Sequence, residues 1–271
     1  MTTDLSAPGT VAAGFTSTAG DYDDVLRYNV EGAIRLVASI PAGDYSTLLD
    51  VGCGTGFASM AMYDRFGITR ITGADPSAGM LEQFAAKLGT EPEIDATLIE
   101  ADVLEMDIAP DSQDIVISTM AFHWFPEKRS AMRAMAETLR PGGVLAILAS
   151  GRGEVEVQEM ISRIEPPVPP QHLGLYTLVQ RSVPEMQRYI AEVGLEEVDV
   201  WQEERKRRIP IEEYFERNRV VASHVFADVP EDKREALAQH FEDGMRREVG
   251  PEGIIEYTFT KLFAIARKPL D

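Results

Sequence analysis

Apolar residues between positions 47 and 149 occur in short runs separated by longer amphipathic stretches. The short runs are rich in Val, Ile and Leu and predict buried strands. The stretches between them carry apolar residues three or four positions apart, which predicts helices. Alternating strands and helices indicate a parallel sheet. The predicted strands are 47–51, 70–74, 96–100, 115–118 and 144–149, and the predicted helices are 21–40, 57–66, 77–88 and 127–139.

The alternation stops after Gly151. The stretch 165–170, Glu-Pro-Pro-Val-Pro-Pro, cannot lie inside a helix, because proline lacks the N–H donor. Ser182 and Glu185 form a capping-box pattern, which predicts a short helix that ends at Gly194. Seven strands with helices between the first five indicate a doubly wound α/β sheet, and two late helices indicate a cap over its site. The remaining predicted elements are strands 197–203 and 256–267 and helices 211–226 and 232–248.

The chain has 271 residues, which suits one large domain and is short for two. We expect residues 1–20 to be a mobile N-terminal arm. We expect residues 21–271 to be a single domain with cap elements at about 152–182 and 209–252. The first 20 residues have no basic start followed by an apolar run, so we do not expect a secretory signal.

A formal net charge of −19 makes a nucleic-acid partner unexpected, because like charges repel. No stretch approaches the ~20 apolar residues of a membrane span, so we expect no membrane partner either. The one dense basic run, 205–208, follows Glu203 and Glu204. It is either a solvated strand end or a contact to a phosphate or an anionic substrate. The single cysteine, Cys53, excludes an intramolecular disulfide and fits a cytoplasmic protein.

The strongest chemical signal follows the first predicted strand. Gly52, Gly54 and Gly56 alternate with other residues, and Asp50 lies two positions before the first of them. Glycines permit positive φ and let a ligand approach the backbone, and the helix that follows points its N–H groups at that ligand. We therefore expect a nucleotide-like or carboxylate ligand at the carboxyl ends of the strands. An NAD-binding loop would have the different spacing G-x-G-x-x-G.

Two more acids follow strands. Asp75 ends the second predicted strand and can accept hydrogen bonds from ribose hydroxyls, and Asp102 follows the third. With these acids in place, the chain resembles the class I S-adenosylmethionine-dependent methyltransferases, in the small-molecule branch that is similar to methyltransferase types 11 and 25. The resemblance covers about residues 47–150 and rests on these segments: 49–56, 73–77 with Met80 and Leu81, Asp102-Val103, 114–116 with the Phe-His-Trp-Phe run 122–125, and 139–143.

The resemblance implies a Rossmann-like sheet of seven mostly parallel strands, with an antiparallel last strand and a helical cap insert. It implies S-adenosylmethionine as the cofactor. The glycines would lie against the methionine and ribose. Asp75 would accept hydrogen bonds from the ribose hydroxyls, and Asp102 would accept one from the adenine amine. The implied cofactor-binding residues are Asp50, Gly52, Gly54, Gly56, Asp75, Pro76, Met80, Asp102, Val103 and Ser118. Each has a structural alternative, such as a tight turn, a helix-start acid, a surface acid or a core methionine.

The sulfonium methyl is already electrophilic, so transfer needs mainly alignment of the acceptor. A general base is needed only if the acceptor must lose a proton. His123 is the candidate for that base, and the alternative is that it shapes the pocket. We expect Trp124, Tyr22 and His224 to contribute to the substrate pocket. The scattered histidines do not have zinc-ligand spacing, so we expect no metal.

The function predicted from the sequence is methyl transfer to a small-molecule acceptor. An NAD-dependent oxidoreductase and a non-catalytic interaction protein with the same fold are the alternatives. The accepting atom, whether oxygen, nitrogen, sulfur or carbon, stays open. So does the oligomeric state, a homodimer included.

Overall fold

A computed structural model describes residues 12–16, 19–20, 27–125, 127–151, 154–167, 182–221 and 231–270. Its seven strands form one sheet in the order β3-β2-β1-β4-β5-β7-β6. The first five strands run parallel, and β7 runs antiparallel between β5 and β6. The strands are β1 Thr47–Val51, β2 Arg70–Ala74, β3 Asp95–Ile99, β4 Gln113–Thr119, β5 Leu139–Ser150, β6 Glu196–Pro210 and β7 Ile254–Arg267.

Eight α-helices of eight or more residues, a short helix at 12–16 and one 3₁₀ turn lie around this sheet in the described chain, and none of these helices is long and apolar enough to cross a bilayer. Ser77 and Ser182 cap two of them, each accepting a hydrogen bond from the backbone N–H three residues later, as their positions predict. The helices are α1 Arg27–Ser39, α2 Phe57–Phe66, α3 Ala78–Leu88, α4 Lys128–Thr138, α5 Val155–Ser162, α6 Val183–Glu192, α7 Ile211–Val221 and α8 Glu231–Val249, and the 3₁₀ turn is Phe122–Trp124.

Apolar layers cover both faces of the sheet, as a doubly wound fold requires. Successive β1 residues alternate between them: Leu48 packs with α1, α2 and α3, and Leu49 packs with α4 and α6. Both leucines are fully buried. The predicted Rossmann-like architecture with an antiparallel last strand is confirmed.

A third apolar cluster lies beyond the sheet's parallel part. β5 ends at Ser150, opposite Lys261, so residues 254–260 of β7 and their partners 204–210 in β6 extend past the carboxyl end of β5. Helices α5, α7 and α8 pack on this two-stranded extension. We call the result the cap cluster; its buried residues are Val157, Ile161, Ile164, Ile209, Ile211, Tyr214, Phe215, Met245, Ile255 and Tyr257. The domain boundaries, and the role of these helices as a cap over the site, stay predictions.

Strand β5 begins at Leu139 and not at position 144, and residues 12–16 form a short helix that was not predicted. Two further differences lie after Gly151. Helix α5 was not predicted. Strand β6 does not end at Glu203 but continues to Pro210, because each residue of the basic run pairs with one in β7. Arg205 and Arg208 are exposed and form ion pairs, Arg205 with Glu31 at 2.7 Å and Arg208 with Glu256 at 2.8 Å. This arrangement favours a solvated strand over an anion site.

Candidate active site

A cavity opens at the carboxyl ends of β1 to β4. The strand order reverses here, since β1 lies between β2 and β4, and ligands of doubly wound sheets bind at such a point. Seven of the ten predicted cofactor residues line the cavity: Gly52, Gly54, Asp75, Pro76, Met80, Asp102 and Val103.

The glycine loop after β1 contributes bare backbone to the cavity wall. All three glycines have positive φ: 68° at Gly52, 53° at Gly54 and 78° at Gly56. A Cβ at Gly56 would overlap the ring of Phe84, and one at Gly52 would overlap the Ala121 side chain. A Cβ at Gly54 would meet nothing within 4 Å. Gly54 therefore leaves room for a ligand beside its Cα, while Gly56, which does not line the cavity, is required by helix packing.

Asp75, at the end of β2, is held by two backbone donors. Its Oδ2 accepts a hydrogen bond from Gly54 N at 2.8 Å, and its Oδ1 accepts one from Ser77 N at 2.9 Å. Burial raises the pKa of Asp75 to about 6, although these two hydrogen bonds oppose the shift. Each oxygen keeps a lone pair for a further donor, so this carboxylate can accept two hydroxyls at once.

Asp102 holds the corresponding place after β3. It lines the cavity half-buried, and its Oδ1 accepts a hydrogen bond from Leu104 N at 3.1 Å. Met80 and Val103 are 2% and 3% exposed and line the same end. This end of the cavity suits a sugar and a flat base, because it has two carboxylates after adjacent strands and an apolar slot between α3 and the end of β3.

Asp50 and Ser118 are fully buried and do not line the cavity. Asp50 Oδ2 accepts a hydrogen bond from the Ser59 hydroxyl at 2.7 Å, while its Oδ1 has no partner among the described residues. Burial raises the pKa of Asp50 to about 7. Their predicted cofactor roles, like that of Gly56, stay predictions.

The aromatic run after β4 divides between cavity and core. Trp124 lines the cavity, and its ring meets that of Phe15 edge to face at 5.8 Å. His123 is buried, 5.0 Å from Trp124 between ring centroids, and does not line the cavity. This favours the pocket-shaping alternative for His123. Tyr22 and His224 lie outside the described residues.

Residues 48–143 match the family described as "Methyltransferase domain". Over these residues the chain contains a methyltransferase domain of the class I S-adenosylmethionine-dependent type. The matched segment contains β1 to β4, the glycine loop and both cavity acids, and it ends before the cap cluster begins.

Curated relatives are similar to about half of the chain. A malonyl-[acyl-carrier protein] O-methyltransferase of Hahella chejuensis is 34% identical over 135 residues, which are 50% of this chain and 47% of the relative. A trans-aconitate 2-methyltransferase of Afipia carboxidovorans is 36% identical over 112 residues, 41% of each chain. The chain thus spans about half the length of the curated relatives it matches.

Solved structures share the fold over most of the chain. One from Bacillus halodurans, with a provisional methyltransferase assignment, has a TM-score of 0.63 at 16% identity and covers 88% of this chain and 99% of that one. Phosphoethanolamine N-methyltransferase 2 of Haemonchus contortus, in complex with phosphomonomethylethanolamine and S-adenosylhomocysteine, has a TM-score of 0.58 at 16% identity. It covers 94% of this chain and 57% of that one.

The residues that line the cavity fit S-adenosylmethionine chemically. The charged residues among those described in its lining are Asp75 and Asp102, so its field favours a sulfonium cation and hydroxyl donors over an anion. Gly54 leaves bare backbone beside them, in open space. Among the residues with described positions, no group of His, Cys, Asp and Glu is arranged to hold a metal ion.

The sequence analysis missed two parts of the wall. Residues 12–16 form a short helix that contributes Phe15 to the lining, and Thr16 Oγ1 lies 2.8 Å from Ser77 Oγ. Helix α1 contributes Asn29 and Ala33, which lie four residues apart on one face. No motif marks these residues; the available signal was the helical spacing that puts Asn29 and Ala33 together.

Proposed function

We propose that this chain transfers the methyl group of S-adenosylmethionine to a small-molecule acceptor. The observation that carries the proposal is the pair of carboxylates, Asp75 and Asp102, which line one cavity beside the open peptide of Gly54. In this proposal Asp75 accepts the two ribose hydroxyls, and Asp102 accepts the adenine amine. Charge-assisted hydrogen bonds of this kind contribute about 1.5–3 kcal/mol each.

The bound cofactor would supply an electrophilic methyl group. The chain then has to hold the acceptor in line with it and keep water out. Phe15 and Trp124, which meet across the cavity wall, would provide an apolar enclosure. Trp124 would also offer an aromatic surface favourable to a cation.

We further propose that the acceptor is a carboxylate, which would become a methyl ester. The names of the relatives support this class, since malonyl-[acyl-carrier protein] and trans-aconitate both carry carboxylates. Asp75 and Asp102 do not attract an anionic acceptor, so the lining supports this class only through the base that it lacks among the described residues. A carboxylate is ionised at neutral pH and needs no base, and the one histidine predicted for that role, His123, is absent from the described lining.

Binding of the donor is tested by calorimetry with S-adenosylhomocysteine and NAD. We expect S-adenosylhomocysteine to bind and NAD not to bind. NAD binding without S-adenosylhomocysteine binding would support the oxidoreductase alternative and overturn the proposal.

Transfer is tested with methyl-labelled S-adenosylmethionine and a panel of acceptors. We expect label in base-labile esters of di- or tricarboxylates or of a malonyl thioester, and none in phenols or amines. Label in an amine or a phenol would overturn the carboxylate class but not methyl transfer. Donor binding with no transfer to any acceptor would favour the non-catalytic alternative.

A further inference from the structure

Asn29 has a buried polar atom without a hydrogen-bond partner in the described part of the chain. Its side chain lines the cavity from α1, and its Oδ1 is buried with no hydrogen-bond partner among the described residues. A buried acceptor without a donor is costly, and such atoms in native proteins call for an explanation. A ligand in the cavity can supply the missing donor.

The sheet order places Asn29 at one particular end of the cavity. Gly32, three residues further along α1, packs against β5, since a Cβ there would lie 2.9 Å from Leu148 Cδ2. Asp75 and Asp102 follow β2 and β3, on the other side of β1. Asn29 therefore faces the end of the cavity away from both acids.

A ligand that places its base beside β3 and its ribose beside β2 must extend its remaining part towards β4. The distance across three strand spacings from β3 to β4 is about 14 Å. For the proposed donor, the remaining part is the amino-acid end, which carries an ammonium and a carboxylate. Both described charged lining residues, Asp75 and Asp102, lie at the opposite end, so the ammonium needs neutral acceptors here.

We propose that the Asn29 amide oxygen accepts a hydrogen bond from the α-ammonium of the bound donor and so selects ligands with an intact amino-acid end. This inference rests on the proposed function. Asn29 is a binding residue here, not a participant in methyl transfer.

The test compares three ligands on each protein by calorimetry at pH 8. S-adenosylhomocysteine has the whole amino-acid end, its deamino analogue lacks the ammonium, and 5′-methylthioadenosine lacks both charged groups. The variants are Asn29→Leu, which keeps the approximate volume without polar atoms, and Asn29→Asp, which keeps the acceptor. The matched control is Val30→Ala, an apolar change at the next lining residue.

We expect Asn29→Leu to weaken S-adenosylhomocysteine about tenfold or more, and to change the affinity for the other two ligands less than about twofold. Asn29→Asp should bind S-adenosylhomocysteine with an affinity close to that of the unchanged protein, or more tightly. Val30→Ala should affect the three ligands alike. Ratios of affinities on one sample do not depend on the folded fraction, so partial misfolding does not disturb the comparison.

Three results would overturn the inference while leaving the proposed function intact: Asn29→Leu weakens all three ligands equally, it weakens none, or Asn29→Asp loses as much affinity for S-adenosylhomocysteine as Asn29→Leu. The last result would assign the Asn29 amide N–H, not its oxygen, to the ligand. If the unchanged protein does not bind S-adenosylhomocysteine, the proposed function fails and the inference fails with it.

Discussion

The glycine-loop cavity and the cap cluster both lie beyond the carboxyl ends of the parallel strands, but different chemical groups stabilise them. The cavity depends on backbone groups at two points: a Cβ at Gly54 would stand in open space, and the N–H groups of Gly54 and Ser77 hold Asp75. The cap cluster is formed by side chains, ten of them buried and apolar or aromatic. The family match ends at residue 143, before the cap cluster. A glycine with positive φ permits few substitutions, whereas a packed cluster permits many that keep its volume.

The two regions also bury charge differently. In the cavity Asp75 takes backbone donors. In the cap cluster the hydrogen bonds join one side chain to another. The Tyr214 hydroxyl donates to Glu154 Oε2 at 3.0 Å, and Arg217 donates to the Tyr257 hydroxyl. We therefore expect changes in the cavity to alter donor binding and changes in the cap cluster to alter stability without altering it.

The largest expected effect is that of Gly56→Ala on stability. Positive φ costs a residue with a Cβ about 1–2 kcal/mol, and overlap with the Phe84 ring adds about 1–3 kcal/mol. The free energy of unfolding should fall by about 2–5 kcal/mol in urea denaturation. Gly54→Ala is the matched control: it has the same backbone strain and no overlap, so it should lose about 1–2 kcal/mol.

The same pair of variants should rank oppositely in donor binding by folded protein. The Cβ of Gly54→Ala would stand in the open space of the cavity, so it should weaken S-adenosylhomocysteine more than Gly56→Ala does. Equal stabilities for the two variants would show that Phe84 gives way easily and that the packing role of Gly56 is wrong.

Asp75→Asn should weaken S-adenosylhomocysteine about tenfold to a hundredfold, because charge-assisted hydrogen bonds become neutral or are lost. The pH dependence gives a second reading. The pKa of Asp75 is raised to about 6, so its carboxylate is ionised above that pH and protonated below it. Affinity of the unchanged protein should therefore fall as the pH drops below about 6. Calorimetry between pH 5 and 8 measures both effects.

The Asp75→Asn variant serves as its own control in that series, because it has no proton to gain at position 75. Its affinity should lack the fall below pH 6, although Asp50, with a pKa of about 7, can still titrate in both proteins. An identical pH profile in the two proteins would remove Asp75 from the ribose site.

In the cap cluster, Glu154→Gln should stabilise the protein at high pH. Burial raises the pKa of Glu154 to about 7, although the Tyr214 hydrogen bond and Arg217 lower it. A raised acid pKa contributes stability that is fully present below about pH 4.5, the ordinary value for Glu, and is lost as the pH rises from there to about 7. The variant should therefore gain up to about 3 kcal/mol at pH 8, several °C in Tm, and about 1 kcal/mol or less at pH 5.

Glu156→Gln is a control of opposite sign. Burial alone would raise the pKa of Glu156, but hydrogen bonds, including two from Thr258, lower it overall. Its ionised form therefore stabilises the fold, and the variant should lose stability at neutral pH. Neither variant should change the affinity for S-adenosylhomocysteine more than about twofold. A larger change from Glu154→Gln would show that the cap cluster and the donor site are coupled.

The parts of the fold that local chemistry determines could be predicted closely. Helix α2 begins and ends where expected, because Gly67 ends it with a left-handed residue that donates to Tyr63 O. Helix α3 begins at its Ser77 cap. Strands β1 and β2 have the predicted bounds, since their apolar runs end at the glycine loop and at Asp75.

The rest depended on contacts between distant segments. Strand β6 continues through four basic residues because β7 pairs with them, which no local pattern indicates. Asn29 lines the cavity because Gly32 lets α1 lie close to Leu148. Likewise, the sequence placed His123 at the mouth of the site, but whether its ring faces the cavity or the core depends on how the turn after β4 packs.

The smallest expected effect on catalysis is that of His123→Ala. A general base contributes about 10²-fold or more, and its loss would remove a limb from the pH–rate profile. His123 is 7% exposed and absent from the described cavity lining, so we expect kcat/KM per folded molecule to fall less than tenfold and the profile between pH 6 and 8 to keep its shape. Stability should fall, because a buried ring leaves a void. Trp124, the next residue in the chain, does line the cavity, so Trp124→Ala should raise KM more than His123→Ala does. A hundredfold loss in kcat with a flattened profile would instead make His123 the base, and would require its ring to turn towards the cavity when the acceptor binds.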